Sequence, residues 1–226
     1  MNVVAVFPAV PQPFGDTAAR WFYVLVKELL QRGFRISSLV VSEERREAAD
    51  EAFRRLEGFG ARHQARFLAF SPQSTTHVVA RKLRSLWRPF SETYYAPGLR
   101  DALVSELQRG YDVLHLEQLW SGWAGVHQAR SLLNVHHFEI IDREGAGPRR
   151  FGERKALWQM RRATTRILQG NDAMRVFTPR LLERARTINA THQPYDRRPS
   201  AIAHATQLAE ALSLDMSVQW SATKDN

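Results

Sequence analysis

Strand-like and helix-like segments alternate along most of this chain, and that alternation limits the folds open to it. Short apolar runs, such as Asn2–Phe7 and Phe34–Val41, are each followed by a longer segment with a helical spacing of apolar residues. The first of these segments begins at Asp16 or Thr17, either of which can cap a helix, and Gly33 is its natural stop. Alternating βα units build a parallel sheet covered by helices, so we predict an α/β, Rossmann-like fold.

The same alternation predicts where the remaining elements lie. Further strands are expected at Ala65–Phe70, Asp112–Leu116, Leu132–Val135 and Met174–Phe177, further helices at Glu43–Leu56, Ser91–Arg109, Phe151–Gln169 and Thr178–Ile188, and a crossover at Trp120–Arg130. The pattern stops after Asn189, where no new strand begins. We therefore predict one domain over residues 1–190 and an irregular tail, partly helical or disordered, over residues 191–226.

Composition excludes several classes of protein. The 226 residues include no cysteine, which excludes disulfides, thiolate catalysis and zinc–cysteine sites. No apolar run approaches the roughly 20 residues of a membrane span, and the amino terminus lacks the features of a signal peptide. We therefore expect a cytoplasmic protein. The net charge of +9 favours anionic partners without choosing among them.

Three of the predicted strands run into residues suited to binding a ligand. Asn2–Phe7 leads to a loop with Gly15, the segment ending at Leu116 leads to Glu117, and Leu132–Val135 leads to a pair of histidines. In an open parallel sheet the carboxyl ends of the strands share one edge, and ligands bind in the crevice outside it. We therefore predict one cleft whose edge is formed by Gly15, Asp16, Glu117, His136, His137 and Glu139.

Several segments in this order resemble the amino-terminal domain of a GT-B glycosyltransferase, with the greatest likeness to the retaining enzymes of glycosyltransferase family four. The segments are the first strand with its proline-rich, glycine-bearing loop, YDVLHLEQLW at 111–120, NVHHFE at 134–139, and ERKALWQMRRATTRILQGNDAMRVFTPRLLERA at 153–185. The resemblance covers roughly residues 1–190 and depends on order and spacing rather than on one motif.

The resemblance implies a domain that holds a sugar or lipid-linked acceptor and faces a second domain that binds a nucleotide-sugar donor. It implies no cofactor besides that donor substrate, and no metal. In the family, the loop after the first strand approaches the donor diphosphate, which corresponds here to Phe14, Gly15 and Asp16, with one glycine where relatives often have two. A family histidine near the transferred sugar corresponds to His136, with His137 beside it.

We accordingly predict His136 and Glu117 as catalytic residues. Gly15, Asp16, His137 and Glu139 are the predicted substrate-binding residues. The sequence shows no counterpart of the family's donor-binding domain, so we expect a truncated form that needs such a domain, or a separate donor-domain chain, for activity. The alternative is a non-catalytic binding or partner module that uses the same cleft edge.

Other functional classes have less support in the sequence. A metal site could draw on His115, Glu117, His136 and His137, whose nitrogen and oxygen atoms suit zinc or manganese. The G-x-G-x-x-G motif of a nicotinamide dehydrogenase is missing after the first strand. No recognisable nucleic-acid-binding motif is present, so we expect no specific nucleic-acid partner.

One segment is suited to a membrane surface. The basic amphipathic segment Thr75–Trp87 predicts peripheral membrane contact, with a surface helix packed on the sheet as the alternative. The residues expected to make that contact are Thr75, Arg81, Lys82, Arg84 and Trp87.

Overall fold

A computed structural model of the chain shows a parallel sheet with helices on both sides. The structure describes residues 1–42, 45–60, 62–69, 98–126, 128, 130–136, 138, 140, 151–176, 183 and 185. The strands are β1 Asn2–Phe7, β2 Arg35–Ser42, β3 His63–Ala69, β4 Val113–Glu117, β5 Ser131–Val135 and β6 Ala173–Val176. The helices are α1 Thr17–Gln31, α2 Arg46–Glu57, α3 Leu99–Gln108 and α4 Phe151–Gly170, with a 3-10 helix at Leu119–Gly125.

The strand order β3-β2-β1-β4-β5-β6 is that of a Rossmann-like sheet, which confirms the predicted fold class. Every neighbouring pair of strands is parallel. The chain builds outward from β1 to β3, then returns to the other side of β1 and continues from β4 to β6. The strand order therefore reverses between β1 and β4, which opens a crevice at their carboxyl ends.

The core lies in two layers because β1 is buried on both faces. Val4 and Val6 pack in one hydrophobic cluster with α3, the 3-10 helix and α4, whereas Ala5 and Phe7 pack in the other with α1 and α2. Successive side chains of a strand point to opposite faces, so one continuous apolar run serves both layers.

Helix α1 begins and ends where the sequence predicts. The Asp16 side chain accepts a hydrogen bond from the Ala19 backbone N–H at 2.7 Å and so caps the helix. At the other end Gly33 has a φ of 82°, a left-handed conformation that glycine adopts without steric cost. This helix turns its buried side, including Phe22 and Leu29, onto the sheet.

The predicted crossover at Trp120–Arg130 takes the form of the short 3-10 helix Leu119–Gly125. A Cβ atom at Gly122 would collide with the Ile167 side chain of α4, and one at Gly125 would lie 2.7 Å from Leu116 Cδ1. The backbone is therefore pressed against α4 and the sheet. The Asn171 amide fixes this contact by donating to the carbonyls of Gly122 at 3.0 Å and Ile167 at 2.8 Å.

Strand β4 extends to Glu117, one residue beyond its predicted end at Leu116. The segment Thr75–Trp87, which was predicted to contact a membrane, and the tail at residues 191–226 lie outside the described residues. No helix within the described ranges is long and apolar enough to cross a membrane.

Candidate active site at the carboxyl edge of the sheet

The Glu117 carboxylate, which has no exposed surface, is the centre of a polar cluster at the carboxyl ends of β4 and β5. Its Oε1 accepts hydrogen bonds from His115 Nε2 and from Asn134 Nδ2, each at 2.7 Å. Its Oε2 accepts one from His136 Nε2 at 2.9 Å. Three side chains thus donate to one buried anion.

Strand periodicity and register bring these side chains together. His115 and Glu117 are two residues apart on β4 and therefore lie on the same face of the sheet. Asn134 is the register partner of Glu117 on β5, and His136 follows Asn134 by two residues. Strand β4 thus contributes two polar side chains to this edge of the sheet, and β5 contributes Asn134, with His136 directly after its end.

The hydrogen bonds keep Glu117 ionised despite its burial. Loss of water, the largest single effect, raises the pKa of Glu117, but the hydrogen bonds from His115 and His136 and the positive charge of those rings together lower it to about 2. At neutral pH the cluster therefore contains a full negative charge held entirely by protein donors.

The His115 side chain is enclosed within the cluster. Its Nε2 donates to Glu117, and its buried Nδ1 has no hydrogen-bond partner within the described structure. The Phe7 ring packs 6.3 Å from the His115 ring and closes that side of the cluster. His115 therefore serves Glu117 rather than a ligand.

His136 is the member of the cluster that reaches solvent, with 30% of its side chain exposed. The Trp21 ring of α1 meets it edge to face at 6.3 Å between centroids. The Arg175 guanidinium of β6 lies 5.9 Å from the centroid of the Trp21 ring. Burial lowers the pKa of Arg175 below its ordinary value, although the charge of Glu117 partly opposes this shift. The wall around His136 is thus built from α1, β5 and β6.

The backbone is strained directly after Glu117. Gln118 has φ 66° and ψ 158°, a region that residues other than glycine almost never occupy. Its N–H donates to the Asn134 carbonyl at 2.9 Å, and the Ser121 hydroxyl donates to the carbonyls of Glu117 at 2.9 Å and Gln118 at 3.1 Å. Such strain costs about 1–3 kcal/mol and is concentrated at functional sites.

The structure brings together two of the predicted site residues, Glu117 and His136. Gly15 and Asp16 lie in the exposed loop before α1, where Gly15 has a φ of 144° and the Asp16 carboxylate is directed to its own helix. His137 and Glu139 lie outside the described residues. Ligand binding by these four residues stays a prediction.

Sequence reasoning missed Asn134, Trp21 and Arg175. A signal existed for Asn134, because it precedes His136 by two residues on a predicted strand and so shares its face. The contacts of Trp21 and Arg175 depend on the packing of α1 and β6, which no local pattern specifies. Within the described ranges, no group of three or more His, Asp or Glu side chains could hold a metal ion.

Comparisons with known proteins give no match by sequence but a likeness to solved structures. No protein-family model matches the sequence, and no curated protein matches it. Among solved structures, the chain is similar to TcCGT1 in complex with UDP, with 14% identity and a TM-score of 0.43 over 84% of this chain. The chain spans 47% of the length of that neighbour, which is about half. A score this low does not establish a common fold, so the fold assignment depends on the sheet order and parallel register described above.

Proposed function

We propose that this chain is the acceptor-binding half of a nucleotide-sugar-dependent glycosyltransferase of the GT-B type. The observation that carries the proposal is the partly exposed His136 ring, held by the buried, ionised Glu117 at the edge where a Rossmann-like sheet binds ligands. The resemblance of segments 111–120, 134–139 and 153–185 to that family supports the same assignment.

The His136–Glu117 pair suits a reaction in which an acceptor hydroxyl loses its proton. Because Nε2 donates to Glu117, the proposal assigns the transfer of the proton to Nδ1, the other ring nitrogen. The carboxylate fixes the ring orientation and stabilises the positive charge that forms when the ring takes up a proton. We therefore assign His136 to the acceptor hydroxyl and Glu117 to the positioning of His136.

The other half of the chemistry requires a bound donor. Transfer forms a bond between the acceptor oxygen and the anomeric carbon and breaks the bond from that carbon to the nucleoside diphosphate. The proposal therefore includes a second domain that binds the nucleotide sugar, supplied by another chain or by sequence continuous with this one. Gly15 lies in the loop after β1 and is the residue proposed to approach the diphosphate.

The test is a titration of the folded chain with a panel of acceptor sugars and lipid-linked sugars, and separately with UDP and GDP, beside a transfer assay with nucleotide sugars. We expect acceptor binding, weakened about tenfold by His136→Gln through the loss of one hydrogen bond. The matched control His63→Gln removes a buried histidine near the opposite edge of the sheet and should leave affinity unchanged. Tight nucleotide binding or turnover by this chain alone would contradict the half-enzyme assignment.

A non-catalytic partner module is the second candidate, and one observation favours it. Phe14, in the loop that precedes α1, has 76% of its surface exposed. A large apolar side chain left in water beside a crevice suits an interface with another protein or domain. Failure of every acceptor to bind a correctly folded chain would favour this function over the transferase.

Membrane contact through Thr75–Trp87 is also part of the proposal, because an enzyme acting on lipid-linked acceptors works at a membrane surface. That segment lies outside the described residues, so the proposal depends on its sequence pattern alone.

A further inference from the structure

A ridge of exposed residues follows the outer surface of α4. Arg154, Trp158, Arg162 and Arg166 are each four residues apart, and all four are exposed, with Trp158 at 58%. Side chains four residues apart are neighbours on a helix surface. At 1.5 Å per residue this ridge is about 18 Å long.

The ridge residues are not among those through which this helix packs on the core. Helix α4 packs on the core through Met160, Ala163, Ile167 and Leu168. The Arg162 guanidinium instead lies 5.6 Å from the centroid of the Trp158 ring. Arg154, Arg162 and Arg166 form no ion pair with any carboxylate whose side chain the structure describes. Three positive charges and an indole ring are thus left facing solvent.

We infer that this ridge docks the domain on an anionic lipid bilayer. The indole ring is stable at the depth of the lipid headgroups, and basic side chains near an anionic surface each add attraction. A single-stranded nucleic acid is the less suitable partner, because its binding sites combine a basic groove with several aromatic stacking platforms. The ridge has one aromatic residue and lies on a convex helix surface.

The ridge is suitably placed for a lipid-linked acceptor, and this step rests on the proposed function. Helix α4 connects the parallel neighbours β5 and β6, so it runs back antiparallel to them. Its first turns, with Arg154 and Trp158, therefore lie toward the carboxyl edge, where His136 is located. A bilayer in contact with this end of α4 would present its headgroups near the crevice.

The first test is sedimentation of the full chain with vesicles of phosphatidylcholine alone and of phosphatidylcholine mixed with phosphatidylglycerol. We expect binding to the anionic vesicles only, reduced roughly 10- to 30-fold in the double variant Arg162→Gln/Arg166→Gln. The control Arg35→Gln/Arg54→Gln removes the same charge from β2 and α2, where both arginines are exposed, and should bind like the parent. Equal loss in both double variants would show that net charge alone causes binding and would overturn the inference.

A second test locates the contact directly. Because the chain has no cysteine, Trp158→Cys creates a single site for an environment-sensitive fluorophore. We expect its emission to shift to shorter wavelength on addition of anionic vesicles, whereas a label at Arg54→Cys on α2 should not respond. An unchanged emission at position 158 in vesicle-bound protein would overturn the inference. It would also be overturned if the labelled protein bound a single-stranded oligonucleotide through this ridge more tightly than it binds the vesicles. Because neither test measures transfer or acceptor binding, the docking can fail while the proposed function stands, and the reverse.

Discussion

Glu117 is the residue on which the polar cluster depends, because three donors share its two oxygen atoms. Removing the charge while keeping the shape isolates its contribution. In Glu117→Gln an amide N–H must face one of the former donors, so we expect the free energy of unfolding to fall by about 2–4 kcal/mol. Urea unfolding at neutral pH measures this. Glu51→Gln removes an exposed carboxylate paired with Arg55 and should cost at most about 1 kcal/mol.

The low pKa of Glu117 also predicts that the protein loses stability at acidic pH. The pKa of Glu117 is about 2 in the folded protein against an ordinary value of 4.5, so its stabilisation is complete above about pH 4.5. It is lost as pH falls toward 2, because the unfolded chain binds the proton more readily. Between pH 4.5 and 2 we expect the free energy of unfolding to fall by about 3 kcal/mol less in Glu117→Gln than in the parent. Parallel pH profiles of parent and variant would contradict an ionised Glu117.

At the scale of single elements, β3 contains a buried titratable ring. His63 lies against Phe53 of α2, with ring centroids 6.2 Å apart, and its Nε2 contacts the Ser38 hydroxyl at 3.0 Å. Burial lowers the pKa of His63 from 6.5 to about 4. The unfolded chain therefore binds more protons between these values, and stability should fall by about 3 kcal/mol as pH decreases from 6.5 to 4. His63→Gln should flatten this part of the profile, and an unaltered slope would count against the buried neutral ring.

The contact between the 3-10 helix and α4 predicts a steric effect at Gly122. A Cβ atom there would overlap the Ile167 side chain and lie 3.2 Å from Leu133 Cδ2. We expect Gly122→Ala to lower the free energy of unfolding by about 1–3 kcal/mol. The control Gly60→Ala places its Cβ at an ordinary 3.7 Å from Leu30 Cβ and should be neutral or slightly stabilising. Similar stability of Gly122→Ala and the parent would show that this contact can relax freely.

The sequence predicted most elements because they follow local rules. The period of apolar residues located β1 and α1, and Asp16 and Gly33 marked the ends of that helix. Local rules could not predict the 3-10 helix, because its form depends on how closely Gly122 and Gly125 approach α4 and the sheet. In the site, the period of two residues in a strand is enough to place His115 and Glu117 on one face, whereas the pairing of Asn134 with Glu117 requires the strand register.

At the scale of the whole molecule, the two hydrophobic clusters lie on the two faces of the same sheet. We therefore expect the described domain to unfold as one cooperative unit. Glu117 and His63 lie on strands three positions apart, about 14 Å across the sheet at the usual strand spacing. The effects of Glu117→Gln and His63→Gln on the free energy of unfolding should therefore add to within about 0.5 kcal/mol.

Glu117 and Gly122 should behave differently, because the Ser121 hydroxyl connects the Glu117 carbonyl to the backbone beside Gly122. For Glu117→Gln with Gly122→Ala we expect a coupling energy of about 0.5 kcal/mol or more, because a shifted 3-10 helix weakens both contacts at once. Double-mutant cycles in urea measure both pairs under one condition. Strict additivity in both would show that the strained turn at Gln118 does not couple the site to α4, and that the cluster is held by β4 and β5 alone.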